Sequence, residues 1–143
     1  MKKIIGYTTG VFDMFHVGHL NILKEARQSC DYLKVGVSID ELVLSYKNKS
    51  PIISFEDRAA IVDSVRYVDE VIPVNTRDKI SQFDDIKYNI LFVGDDWKGA
   101  EIFNTLEEYL QKHNSTIKYI PYTKNVSSTK FRTLLQNIYD EEH

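Results

Sequence analysis

Five short runs of strand-forming residues alternate with five segments of helical character, and that alternation restricts the fold more than any other feature of the chain. The runs are residues 4–7 (Ile-Ile-Gly-Tyr), 32–38, 69–74, 90–93 and 116–121. Leu20, Ile22, Leu23 and Ala26 are spaced as one face of a helix after the first run. Ser54 offers an N-cap, followed by Glu56 and Asp57 in the first turn and by Ala59, Ile61, Val62 and Val65 as an apolar face. Residues 78–83, residues 102–112 and the segment from Ser127 onward complete the helical set, and Pro73 is expected to close the third strand. Residues 42–51 have no steady period and are expected to form a loop over the carboxyl edge of the sheet. Helices between strands imply right-handed parallel crossovers. The expected fold is therefore α/β: a Rossmann-like, doubly wound, mostly parallel sheet of five strands, whose ligands bind at the carboxyl ends of the strands.

Composition narrows the setting. At 143 residues the chain suits one domain over residues 1–143, with no repeat or linker to divide it. Eighteen basic against 21 acidic residues leave a net charge of −3, so no overall basic field draws the protein to nucleic acid. Met1-Lys2-Lys3 runs into a strand too brief for a signal sequence, and no apolar run approaches the roughly 18 residues of a membrane span. A cytoplasmic protein is expected. Cys30 is the only cysteine, which excludes an internal disulfide and a multi-cysteine zinc site, and it is expected to serve in packing.

The chemistry concentrates in the turn after the first strand, Thr8-Thr9-Gly10-Val11-Phe12-Asp13-Met14-Phe15-His16-Val17-Gly18-His19. A strand-to-helix turn brings free backbone N–H groups and the positive end of a helix dipole to the carboxyl edge, which makes a phosphate site. His16 and His19 stand three apart and share a face, and Gly18 removes any side chain between them. Two imidazoles there suit a reaction that builds charge on phosphoryl oxygens. The same spacing also fits a pair of capping or partly buried histidines, or a metal pair. Two further turns, at Asp96 and at Ser127-Ser128-Thr129, follow strands and so converge on the same edge. Three successive hydroxyls at a helix start suit phosphate oxygens, although an N-cap explains one of them. Lys47 and Lys49 fall two apart in the expected loop, where a solvated charged surface is the simpler explanation.

At these residues the chain resembles the small cytidylyltransferases, the family typified by glycerol-3-phosphate cytidylyltransferase, within the HxGH nucleotidyltransferase superfamily. The family motif G-T-F-D-x-x-H-x-G-H stands here as residues 10–19, with Val11 in place of threonine. The family hydroxyl lies near the nucleotide phosphates, so Thr8 or Thr9 must compensate or the contact is lost. Residues 66–73, Arg-Tyr-Val-Asp-Glu-Val-Ile-Pro, match the family without a change, and Gly94-Asp95-Asp96-Trp97 matches as well. Without that context, Arg66 and Asp69 suggest a surface ion pair or a subunit contact. The family segment R-T-E-G-I-S-T corresponds to Tyr122, Thr123, Lys124, Asn125, Val126, Ser127 and Ser128, so the family arginine is replaced by Tyr122. Lys124 or Lys130 can return a positive charge there, without the guanidinium fork.

The resemblance implies a nucleotidyltransferase that moves CMP from CTP to a small phosphorylated alcohol, glycerol 3-phosphate or similar, and releases pyrophosphate. It assigns catalysis to His16, His19 and Lys49, and nucleotide binding to these three with Gly10, Val11, Phe12, Asp13, Gly18, Asp96, Tyr122, Thr123, Lys124, Ser127, Ser128 and Thr129. Asp96 could accept from the cytosine amino group. Lys47, Arg77 and Lys79 fall to the second substrate, the last two because they lie close to a family lysine that has no aligned match. Mg²⁺ is expected to ride on the CTP phosphates rather than on protein ligands. A homodimer is expected, and with the acidic residues Asp140, Glu141 and Glu142 near the end of the chain, no response to membranes. An adenylyltransferase of the same fold, acting on a phosphorylated coenzyme precursor, is the alternative within the superfamily. A non-catalytic nucleotide-binding protein is the alternative outside it.

Overall fold

The computed structural model describes residues 2–121 and 128–142, with the Asp96 and Glu142 side chains outside that description. The elements run β1 (Ile5–Gly10), α1 (Val17–Gln28), β2 (Tyr32–Ser38), α2 (Asp40–Lys47), α3 (Phe55–Asp63), β3 (Glu70–Val74), α4 (Lys79–Ile86), β4 (Ile90–Gly94), a 3₁₀ turn (Asp95–Trp97), α5 (Glu101–Gln111), β5 (Thr116–Ile120) and α6 (Ser128–Glu142).

The strands form one five-stranded sheet in the order β3-β2-β1-β4-β5, and every pairing is parallel. From β1 the chain steps outward through β2 to β3, then returns past β1 to β4 and β5. The order therefore reverses between β1 and β4, which opens a crevice beyond their carboxyl ends. Both faces of the sheet are covered. Phe12, Leu23, Ala26, Leu33, Val35, Val37 and Val62 belong to one buried cluster, and Tyr7, Phe83, Leu91, Phe103, Leu106 and Leu110 belong to the other. Burial on both faces is why β2 reads as a nearly continuous apolar run. Gly6, in the central strand, is required by close approach, because a Cβ there would stand 2.6 Å from the Phe92 ring and 2.7 Å from Cys30 Sγ. Cys30 itself is buried.

Two expectations fail locally. Residues 40–47 are helical rather than part of a loop, with Asp40 and Glu41 set against the helix dipole and Lys47 in the last turn. Val43 is the one buried residue of this helix, so its sequence carries almost no apolar period. The helix stops at Asn48, whose φ of 56° is left-handed, a conformation asparagine tolerates. Pro73 does not close β3 either: it pairs in register with Val37, and the strand continues to Val74. A proline is tolerated there because β3 is an edge strand.

Candidate active site

The site begins where β1 leaves the sheet. The chain turns through Phe12 and Met14 with φ of 56° and 48°, left-handed values that cost a non-glycine residue about 1 kcal/mol or more each. Asp13, between them, holds the turn in place. Its carboxylate accepts from the Ile52 N–H at 2.8 Å, the Ile53 N–H at 2.9 Å and the Arg132 guanidinium at 2.8 Å. Its carbonyl accepts from the Ser128 hydroxyl. Burial pushes the Asp13 carboxyl up, but the two amides and Arg132 together outweigh it and hold the group below its ordinary value. Asp13 thus joins the β1–α1 turn to the α2–α3 connection and to the start of α6.

His16 is the N-cap of α1. Its Nδ1 accepts from the Gly18 N–H at 3.0 Å, and its own N–H donates to His19 Nδ1 at 3.1 Å, which closes a reciprocal capping box. Both Nδ1 atoms act as acceptors, so neither carries a proton, and in the neutral ring the proton resides on Nε2. Burial lowers the His16 pKa; His19 is lowered to about 4, by burial first and then by His16. Both rings are therefore neutral near pH 7 and stacked with centroids 4.0 Å apart, and no hydrogen bond from either Nε2–H to a described residue is seen. Phe12 and Phe15 pack on His19, and the Phe131 ring meets His16 edge-on. The capping box takes up the His16 and Gly18 N–H groups, so these two amides are not open to an anion.

Arg58 is fully buried and gathers the surrounding main chain. It donates to the carbonyls of Val11 at 2.6 Å, Ser38 at 2.8 Å and Ile53 at 2.9 Å, and pairs with Asp40 at 2.6 Å. The carboxyl ends of β1 and β2, the start of α2 and Ile53 are thereby tied to one guanidinium. Neither Arg58 nor Arg132 is among the site residues the sequence suggests. A signal exists for Arg58, which stands four before the buried Val62 on the apolar face of α3. Thr8 does not replace the hydroxyl missing at Val11: it is buried and donates to the Phe92 carbonyl at 3.0 Å.

Lys47 and Arg77, which come from separate segments, both lie over the Tyr46 ring, and Lys79 lies close enough to Arg77 to feel its charge. The Arg77 guanidinium lies 4.2 Å from the Tyr46 ring centroid, and Lys47 Nζ lies 5.8 Å from it. The Lys79 ammonium is lowered to about 8, by burial first and then by Arg77. Arg77 and Lys79 line a cleft of ≈240 Å³ with Asp78, Ile80, Ile102 and Leu106.

Lys49 and Thr129 are exposed, Lys49 beyond the end of α2 and Thr129 in the first turn of α6. Tyr122, Thr123, Lys124 and Ser127 lie outside the described residues, as does the Asp96 side chain, although the Asp96 backbone falls in the 3₁₀ turn after β4. The ion pair suggested for Arg66 and Asp69 is not made between them. Asp69 pairs with Arg27 at 3.2 Å, and Arg66 stacks on Tyr67.

The family model for cytidylyltransferase-like proteins matches residues 7–134. The chain is 39% identical over 133 residues to glycerol-3-phosphate cytidylyltransferase of Bacillus subtilis (strain 168), covering 92% of this chain and 95% of that one. It is 37% identical over 145 residues to FAD synthase of Thermococcus kodakarensis, covering 97% and 94%. Among solved structures, the lipopolysaccharide core biosynthesis protein of Thermoplasma volcanium GSS1 matches with a TM-score of 0.71 at 30% identity, covering 87% of this chain and all of that one.

Proposed function

The chain belongs to the cytidylyltransferase-like family, and from that premise we propose that it transfers CMP from CTP to a small phosphorylated alcohol, giving a CDP-alcohol and pyrophosphate. An oxygen of the acceptor's phosphate attacks the α-phosphorus in line. The new P–O bond forms as the bond to the β-phosphate oxygen breaks, and pyrophosphate leaves with that electron pair. A phosphate dianion carries no proton on the attacking oxygen, so the step needs no general base. It needs positioned donors for charge that grows on oxygen.

The observation that carries this reading is the fixed tautomer of the histidine pair. Each Nδ1 is held by a backbone N–H, which leaves two Nε2–H donors side by side at the carboxyl edge. Neutral rings donate without having to titrate at pH 7. The proposal assigns transition-state contacts to His16 and His19 with Lys49, the triphosphate to the start of α6 with Thr123 and Lys124, and the acceptor's phosphate to Lys47, Arg77 and Lys79. Asp96 takes the cytosine amino group. Magnesium enters as part of the substrate, on the triphosphate. Asp13, a buried carboxylate of the turn, already spends both oxygens on Ile52, Ile53 and Arg132, so it suits a structural role better than a metal ligand.

We also propose a cytoplasmic homodimer, in which exposed Leu134, Leu135 and Ile138 of α6 give a second copy apolar area to cover; sedimentation equilibrium tests the dimer. The activity is tested by incubating the protein with CTP, Mg²⁺ and a panel of phosphorylated alcohols. Phosphorus NMR should show equal amounts of pyrophosphate and a CDP-alcohol. The similarity to an FAD synthase favours one other reading, an adenylyltransferase, for which ATP with a flavin phosphate would be the productive pair. Turnover of neither nucleotide would leave a non-catalytic binding protein.

A further inference from the structure

Arg77 lies in the short connection between β3 and α4, exposed, where no regular structure fixes its long side chain. A free guanidinium there loses about 2 kcal/mol of rotamer entropy if a ligand must order it. The Tyr46 ring, half-buried in the last turn of α2, supplies that order in advance through the 4.2 Å stack. The same ring lies within cation–π reach of Lys47.

The grouping is electrostatically unfavourable as it stands. Among the described residues, no carboxylate forms an ion pair with Lys47, Arg77 or Lys79, whereas Arg27, Arg58 and Arg132 each have one. Asp78 lies between two of them in sequence, but its Oδ1 caps α4 by accepting from the Ile80 and Ser81 N–H groups. Burial and Arg77 hold the Lys79 ammonium down, which an arriving dianion would reverse. Arg77 and Lys79 on the cleft wall, with Lys47 on the other side of the Tyr46 contact and no carboxylate paired to them among the described residues, make a subsite for an anion.

Resting on the acceptor assignment above, we propose that Tyr46 is a positioning residue of the acceptor subsite, whose ring holds Arg77 and Lys47 ready for the acceptor's phosphate monoester. Tyr46 touches the cations rather than the reacting atoms. Its effect therefore falls on the acceptor and not on CTP, and it requires the aromatic face rather than the hydroxyl.

The test compares Tyr46→Leu with Tyr46→Phe, reading both Michaelis constants and kcat, and in parallel the calorimetric Kd of glycerol 3-phosphate without nucleotide. Tyr46→Leu should raise the acceptor KM and the Kd about fivefold, the scale of losing one partly exposed cation–π contact. The CTP KM and kcat should stay within twofold, and Tyr46→Phe should behave as wild type. Should Tyr46→Leu fail to fold, Arg77→Gln on the exposed side chain should raise the Kd at least as much, and in that background Tyr46→Phe should change nothing. The inference is overturned if Tyr46→Leu or Arg77→Gln leaves the Kd unchanged, if both Michaelis constants rise together, or if Tyr46→Phe is as impaired as Tyr46→Leu. A protein that binds the monoester in a Tyr46-dependent way but forms no CDP-alcohol would instead refute the proposed reaction and leave the subsite standing.

Discussion

Replacing the histidine pair by residues that keep the capping box separates the two tasks these rings perform. His16→Ala removes the Nε2–H donor and also uncaps α1, since the Gly18 N–H loses its acceptor. Loss of an N-cap costs about 1 kcal/mol, which for a chain of this size lowers Tm by roughly 3–5 °C. His16→Asn supplies a favoured N-cap oxygen and should recover most of that loss. At the third helical position His19→Gln can reach back to the His16 N–H as a glutamine does in an ordinary capping box. It gives up the ring contacts with Phe12 and Phe15, so some destabilisation remains. Neither substitute places an N–H where the two Nε2 donors stand. Each should therefore lower kcat by about a hundredfold or more, the scale of one transition-state donor, although the protein stays folded. Thermal denaturation read beside pyrophosphate release measures both quantities. If His16→Asn retains activity within a few-fold of wild type, the ring's role is capping alone and the catalytic assignment is wrong.

Acidification should destabilise the protein as His19 begins to bind its proton only in the unfolded chain. Its folded pKa of about 4 lies below the unfolded value of 6.5, so this contribution is fully present above pH 6.5 and is lost as pH falls toward 4. Tm measured across that window should fall, less steeply in His19→Gln, and equal slopes would contradict the assignment. Arg58→Leu leaves three carbonyls and Asp40 without their buried partner, so urea unfolding should show a loss of roughly 3 kcal/mol or more, and a loss below 1 kcal/mol would contradict its role. Arg132→Gln loosens the tie between α6 and the Asp13 turn while leaving the Ile52 and Ile53 bonds, so the CTP KM should rise several-fold with only a small change in Tm. An unchanged KM would show that α6 does not help to hold the triphosphate.

The parts of this protein that were readable from sequence are those whose determinants are local. β2 declares itself through buried β-branched residues, and α3 through Ser54 and the spacing of its apolar face. α2 does not, because eight residues with one buried side chain carry no period to detect. The histidine pair was readable as either a cap or a donor pair. Its geometry makes these compatible, because each ring caps with one nitrogen and presents the other. What escaped was long-range: the partners of Asp13 lie 39, 40 and 119 positions away, and a carboxylate in a turn does not announce them. Arg58 escaped for a similar reason, since a basic residue on an apolar helix face shows its purpose only when four separate segments converge on it. The family resemblance points to Lys47 through a lysine pair at matching offset and to Arg77 through its nearness to an unmatched family lysine, but not to the ring on which both lie.

The central claim is tested most directly by kcat/KM for CTP and for ATP, measured with the same enzyme against glycerol 3-phosphate, other phosphorylated alcohols and flavin mononucleotide. CTP with one of the phosphorylated alcohols should exceed every ATP pairing by at least a hundredfold, because a site built to hydrogen-bond one base leaves polar groups unpaired with another. A higher value for ATP with flavin mononucleotide would contradict cytidylyl transfer while leaving the histidine pair in its role.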